Sequence, residues 1–110
     1  MSVDAGVIFC TFSSQAEAQT IVTGLLEKKL IACANMIHGV ESRYWWNDVI
    51  QSETEVLAIM KTQKIYFEAV EQYIHAEHSY DVPEIIMLPI DCGSEPYLAW
   101  VKNSTENAHA

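Results

Sequence analysis

Ala32 to Thr62 reads ACANMIHGVESRYWWNDVIQSETEVLAIMKT, two long strand-like runs on either side of Asn47-Asp48. An arm of about 15 residues at roughly 3.3 Å each spans about 50 Å. The longest helical run, Ser14 to Lys29, covers only about 24 Å at 1.5 Å per residue. The far half of the hairpin therefore projects past any helical layer that one chain can build. Its tip nevertheless carries Tyr44, Trp45, Trp46, Val49 and Ile50. Burying one such side chain is worth about 1.5–3 kcal/mol, so a bare tip is costly. Shelter by further copies of the chain is the expected solution.

The flanking segments fix the class. Val7 to Phe12 is apolar on both alternating faces, as a central strand requires. Ser14 and Glu17 form a capping-box pattern. Ala18, Ile21, Val22, Leu25 and Leu26 then repeat at helical spacing, with Lys28 and Lys29 at the C-terminal end. Ile31 to Trp46 reads as a strand with a bulge near His38-Gly39, and Val49 to Thr62 returns. Asn47 and Asp48 both tolerate positive φ and supply the turn. A second amphipathic helix spans about Gln63 to Glu77. Glu84 to Ile90 is a fourth strand, held to a sheet edge or a strand end by Pro89. Ser94-Glu95-Pro96 opens a short terminal helix, and the tail 103–110 is polar and expected to be flexible. The order is strand, helix, strand, strand, helix, strand. It predicts one domain over 1–110 of the α+β class: a ferredoxin-like βαββαβ sandwich with an antiparallel sheet, two helices on one face, an extended β2–β3 hairpin and a short C-terminal helix. The other sheet face is left without helices, a second reason to expect self-association.

Charge narrows the function. Fifteen acidic residues against six Lys and Arg give a net charge of −9. Phosphate binding needs a basic surface, so nucleic acid is not an expected partner. An acidic surface attracts cations weakly and keeps an assembly soluble. No apolar run nears the ~20 residues of a membrane span. Cys10, Cys33 and Cys92 form no CxxC pair, and the first residues show no signal peptide. A reducing, cytoplasmic setting is the expectation. No nucleophile elbow, phosphate loop or His-Glu-x-x-His motif is present, so no enzyme activity is expected. An acylphosphatase-type reaction would need an anion-cradling arginine after the first strand. Thr11-Phe12-Ser13-Ser14 has none.

With these segments placed, the chain resembles the CutA1 family, named for divalent cation tolerance, over about residues 7 to 102. The likeness rests on Cys10-Thr11, LIACANMIHGVESRYWW, the run from Glu55 to Lys61-Thr62, HSYDVPEI at His78 to Ile85, and Tyr97-Leu98-Ala99-Trp100. The resemblance implies ferredoxin-like homotrimers whose hairpins wrap neighbouring subunits, a role in the response to metal ions, and copper as the metal most often proposed. It implies Cys10, His78 and Glu84 as metal ligands, with no cofactor required beyond copper or another divalent cation. Thiolate and imidazole suit copper or zinc, and Glu84 adds an oxygen. Two departures stand out. Asp48 occupies a turn position where relatives usually carry Gly, and Glu77 replaces a histidine proposed as a copper ligand.

Each candidate has a plainer alternative. Cys10 can be a small buried hydrophobe in a central strand, His78 a cap at the end of the second helix, and Glu84 the acceptor of a backbone N–H. His75 and His78, three apart, could face one ion or be merely solvated. His38 reads as a bulge residue. Tyr44, Trp45 and Trp46 are expected in the subunit interface rather than as a ligand platform. Arg43 is expected to pair with a carboxylate across subunits, with Glu53 or Glu55 as partners. The leading alternative function is a trimeric small-molecule sensor of the PII type, with Tyr80, Glu84 and Trp100 in a cleft between subunits. A third is a passive docking module. A cation-lined pocket would favour the sensor, and a Cys10–His78–Glu84 cluster would favour metal.

Overall fold

The computed structural model describes residues 3–108. His109, in the tail, lies outside the described residues, as do Met1, Ser2 and Ala110. The strands are β1 (Ala5–Phe12), β2 (Cys33–Trp46), β3 (Val49–Gln63) and β4 (Ile86–Pro89). The helices are α1 (Gln15–Glu27), α2 (Phe67–Glu77) and α3 (Glu95–Ser104). The strands form one antiparallel sheet in the order β2-β3-β1-β4, so the fold is α+β. β1, apolar but for Thr11, takes a central place. β4 pairs only with Gly6 to Phe9 and stands at the edge, where Pro89 removes no needed donor.

The core follows from the register. Ile8 opposes Met60, Cys10 opposes Ala58 and Phe12 opposes Val56, and all six are buried. Ala18, Ile21, Val22 and Leu25 of α1 and Val70 and Ile74 of α2 close over that face. Each large apolar side chain so removed from water contributes about 1.5–3 kcal/mol.

Local signals set the helix ends, with one correction. The Ser14 side chain accepts the Glu17 N–H at 3.2 Å, as the capping pattern requires. Glu17 does not reciprocate. Its Oε2 accepts the Ser79 N–H at 2.9 Å, because the loop after α2 passes closer than its own cap. At the other end, the Lys29 N–H reaches the Leu26 carbonyl and the Leu30 N–H reaches the Leu25 carbonyl. That pattern places Lys29 in left-handed backbone, φ 58°, where glycine is usual. The second helix is shorter than its periodicity predicts, since a 3₁₀ turn (Lys64–Tyr66) carries the chain out of β3 before α2 begins.

The hairpin is as long as its sequence requires. The molecule extends 48 Å along its longest axis, whereas the 13-residue α1 spans about 20 Å. Asn47 and Asp48 both have positive φ, 51° and 61°, as a two-residue hairpin turn demands. The bulge falls between Ile37 and Val40, with Gly39 at φ 73°. It changes which residues share a face. Ile37 opposes Leu57, but Val40 opposes Glu55, so after the bulge the even-numbered residues Ser42, Tyr44 and Trp46 join that face. Trp45, on the other face, is 71% exposed.

Two expectations about the C-terminus need correction. The face opposite α1 and α2 is not free of helices, because α3 packs on β3 and β1. The Tyr97 hydroxyl lies 3.5 Å from Cys33 Sγ, and the Gln63 amide donates to Thr105 at 2.9 Å. Nor does the helix stop before Asn103. Asn103 and Ser104 are helical, and Thr105 is fully buried. Beyond α3 that face still shows Ile37, Ile86 and Leu88 about half exposed.

Candidate functional site

A concave feature lies where the hairpin leaves the sheet. A cavity of about 700 Å³ is lined by Ser42, Tyr44, Trp46, Gln51, Glu53 and Glu55 of the hairpin. Thr11 of β1 and Tyr80, Asp81, Val82 and Glu84 of the α2–β4 loop complete it, with Arg43 at the rim. The bulge aims the hairpin residues, and the loop is fastened from below by His78.

His78 is the keystone of that fastening. Its side chain is fully buried. It stacks on Phe12, centroids 4.9 Å apart, and tilts against Tyr80 at 4.7 Å. Nδ1 accepts the Tyr80 N–H at 3.0 Å, so Nε2 is the donor to the Thr11 carbonyl at 2.8 Å. Its own N–H reaches the Ile74 carbonyl and ends α2. The Glu17 Oε1 atom, 4.0 Å from Nδ1, is buried without a hydrogen-bond partner.

Tyr80 carries the link into the cavity. Its hydroxyl donates to Glu55 Oε2 at 2.7 Å, a short charge-assisted bond. Glu55 is only 6% exposed. Burial first, then the Glu55 bond, hold the Tyr80 phenol well above its ordinary value. Contact with the Glu53 carboxylate, ahead of partial burial, pushes Tyr44 up to about 12.

The expected metal ligands are placed but not gathered. Cys10 faces the core, and burial first, then the Glu84, Glu17 and Glu55 carboxylates, push its thiol up to about 12. That favours the neutral thiol over the thiolate that a metal needs. Both His78 nitrogens are engaged. Glu84 is exposed at the cavity wall. Among the described residues no group of three or more His, Cys, Asp or Glu side chains is arranged to hold a metal ion. His75 is exposed while His78 is buried, so they do not face one ion. Of the cleft candidates, Tyr80 and Glu84 line the cavity. Trp100 does not, and tilts instead against Tyr97, ring centroids 5.6 Å apart. Arg43 pairs within its own strand with Glu41 at 3.2 Å. Sequence reading weighed Glu55 only as an ion-pair partner and passed over Asp81 and Gln51. The available signal was slight: Glu55 opens the apolar run VLAIM, at a strand position that burial would normally reserve for an apolar side chain.

A four-stranded antiparallel α+β domain with an overlong hairpin and an acidic, aromatic cavity at its root is the class this geometry defines. The model of the family described as CutA1 divalent ion tolerance protein matches residues 6–104, and the chain belongs to that family. A chloroplastic CutA protein of Arabidopsis thaliana is 40% identical over 106 residues, covering 96% of this chain and 58% of its own length. The crystal structure of CutA1 from Oryza sativa superposes with a TM-score of 0.93 at 37% identity, covering 97% of this chain and 98% of that one. The periplasmic divalent cation tolerance protein CutA from Archaeoglobus fulgidus gives 0.90 at 37% identity, over 93% and 99%. The chain thus spans about three-fifths of the length of the plant relatives it matches. These relatives overturn the cytoplasmic expectation. Members named chloroplastic and periplasmic share this domain, so three unpaired cysteines do not fix its compartment.

Among the described residues no helix is long and apolar enough to cross a membrane.

Proposed function

We propose that this chain works as a homotrimer, without catalysis, in the response to divalent metal ions. The hairpin tip carries the reading. Trp45 is 71% exposed and Ile50 61%, on an arm that nothing among the described residues covers. Ile37, Ile86 and Leu88 add apolar surface on the sheet. Patches of this kind are covered by partners, and closed symmetry among identical copies covers both at once. The metal role is supported by family membership and by the net charge of −9. Copper at Cys10, His78 and Glu84 requires Cys10 to lose a proton and His78 to release the Thr11 carbonyl or the Tyr80 amide. The expected affinity is therefore weak.

Sedimentation at micromolar dilution tests the assembly. The expected species is three chains, shifted to smaller ones in Trp46→Ala, and a well-folded monomer in the unaltered protein rejects it. Calorimetric titration of the reduced protein with copper tests the ligands. Cys10→Ala and His78→Ala should abolish the heat, and unchanged affinity in both rejects that set.

A second reading is a small-molecule sensor that uses Tyr80 and Glu84, both at the cavity, in a cleft completed by neighbouring copies, although the cavity is acidic and not the cation-lined pocket expected of such a sensor. Its lining holds four carboxylates and one arginine, so an anion is not the ligand it suits.

A further inference from the structure

The acidic residues at the hairpin root are spread out. No three of them are arranged to hold one metal ion. A space of about 700 Å³ is in the range of small-molecule sites and far larger than an ion needs. Tyr44, Trp46 and Tyr80 present aromatic rings to the same space. Glu55, 6% exposed, receives the Tyr80 hydroxyl on Oε2. Among the described residues the ion pairs join Arg43 to Glu41 and Lys64 to Asp4, so none of their lysines or arginines pairs with Glu55. A nearly buried carboxylate without a counter-charge is costly unless something supplies one.

We propose that this cavity binds a small organic cation, a primary or secondary ammonium. Glu55 accepts its N–H bonds through the oxygen that Tyr80 leaves free. The rings of Tyr44, Trp46 and Tyr80 hold its charge over their faces, which favours an alkylammonium over a strongly hydrated metal ion. Glu53 sits two residues from Glu55 on the same face of β3, about 7 Å along the strand, and suits the second charge of a diamine. The inference rests on the sensor reading and names its ligand class.

Saturation-transfer NMR on the intact, assembled protein tests it, with 1,4-diaminobutane as probe and succinate as the anionic comparison. The amine should bind saturably in the sub-millimolar range. Glu55→Gln should weaken it by about tenfold or more, the loss of a charge-assisted bond, and Glu27→Gln on the far side of α1 should not. Glu53→Gln, at an exposed position, gives the same readout if Glu55→Gln fails to assemble. Equal binding by wild type and the cavity variants overturns the proposal, as does an amine that does not bind because a side chain of a second copy already fills the space. If succinate binds and the amine does not, the ligand class falls and the sensor reading stands. If neither binds, both fall.

Discussion

Replacing Tyr80 by phenylalanine removes one oxygen and leaves the ring against His78. What is lost is the 2.7 Å bond to Glu55. Hydrogen bonds to charged groups contribute about 1.5–3 kcal/mol. The cavity admits water, which can partly replace the hydroxyl, so the lower half of that range, about 1.5–2 kcal/mol, applies. At roughly 2.1 cal/mol/K per residue, 110 residues give an unfolding entropy of about 0.23 kcal/mol/K. Tyr80→Phe should therefore lower the thermal midpoint by roughly 6–9 °C. The sign of its pH dependence follows from the raised Tyr80 phenol. A group whose folded pKa lies above its unfolded value contributes fully below the unfolded value, about 10, and loses that contribution as pH rises toward the folded one. The gap between wild type and Tyr80→Phe should be constant near neutrality and shrink above about pH 10. Circular dichroism melts across that range measure it, with Tyr66→Phe, beyond the opposite end of β3, as control. A midpoint within about 2 °C of wild type, or a gap that does not close in alkali, refutes the Tyr80–Glu55 link.

Four further outcomes follow from the same geometry. Lys29→Gly should stabilise the protein by about 0.5–1 kcal/mol in urea unfolding, because it relieves left-handed backbone at the end of α1. In the folded protein a thiol reagent should modify exposed Cys92 and leave buried Cys10 untouched until unfolding. Since the Cys10 thiol is raised from 9.0 to about 12, its contribution is complete below about pH 9 and fades toward 12, and Cys10→Ala should lose that alkaline sensitivity. His78→Phe keeps the stack on Phe12 but leaves the Thr11 carbonyl and Tyr80 amide without partners. It should cost about 2 kcal/mol, with part recovered in His78→Gln, whose amide can both donate and accept.

Much of the architecture was legible because its causes are local. Asn47-Asp48 meets the turn's need for positive φ, Gly39 marks the bulge, and Ser14 caps α1. Apolar residues on both faces of β1 predict its central place, and Pro89 predicts the edge. The reciprocal cap failed for a tertiary reason: Ser79, 62 positions away, offers Glu17 a donor. The tail was read as loose because its residues are polar. Thr105 is nevertheless held by Gln63, a partner that sequence spacing does not reveal.

The candidate site was legible only as a set of segments. Tyr80 and Glu84 were marked, yet Glu55 stands 25 residues from Tyr80 and was not seen as its acceptor. His78 and Cys10 were marked as ligands. Folding instead commits both nitrogens of one to main-chain atoms and seals the other in the core.

Backbone preference and apolar periodicity act over a few residues, so the chain alone determined its strands, its helices and an arm too long for its own globule. Which carboxylate meets which hydroxyl, and whether a ring nitrogen is free or spent, depends on contacts between segments that chain order does not fix. Those were decided only when the α2–β4 loop closed over the root of the hairpin.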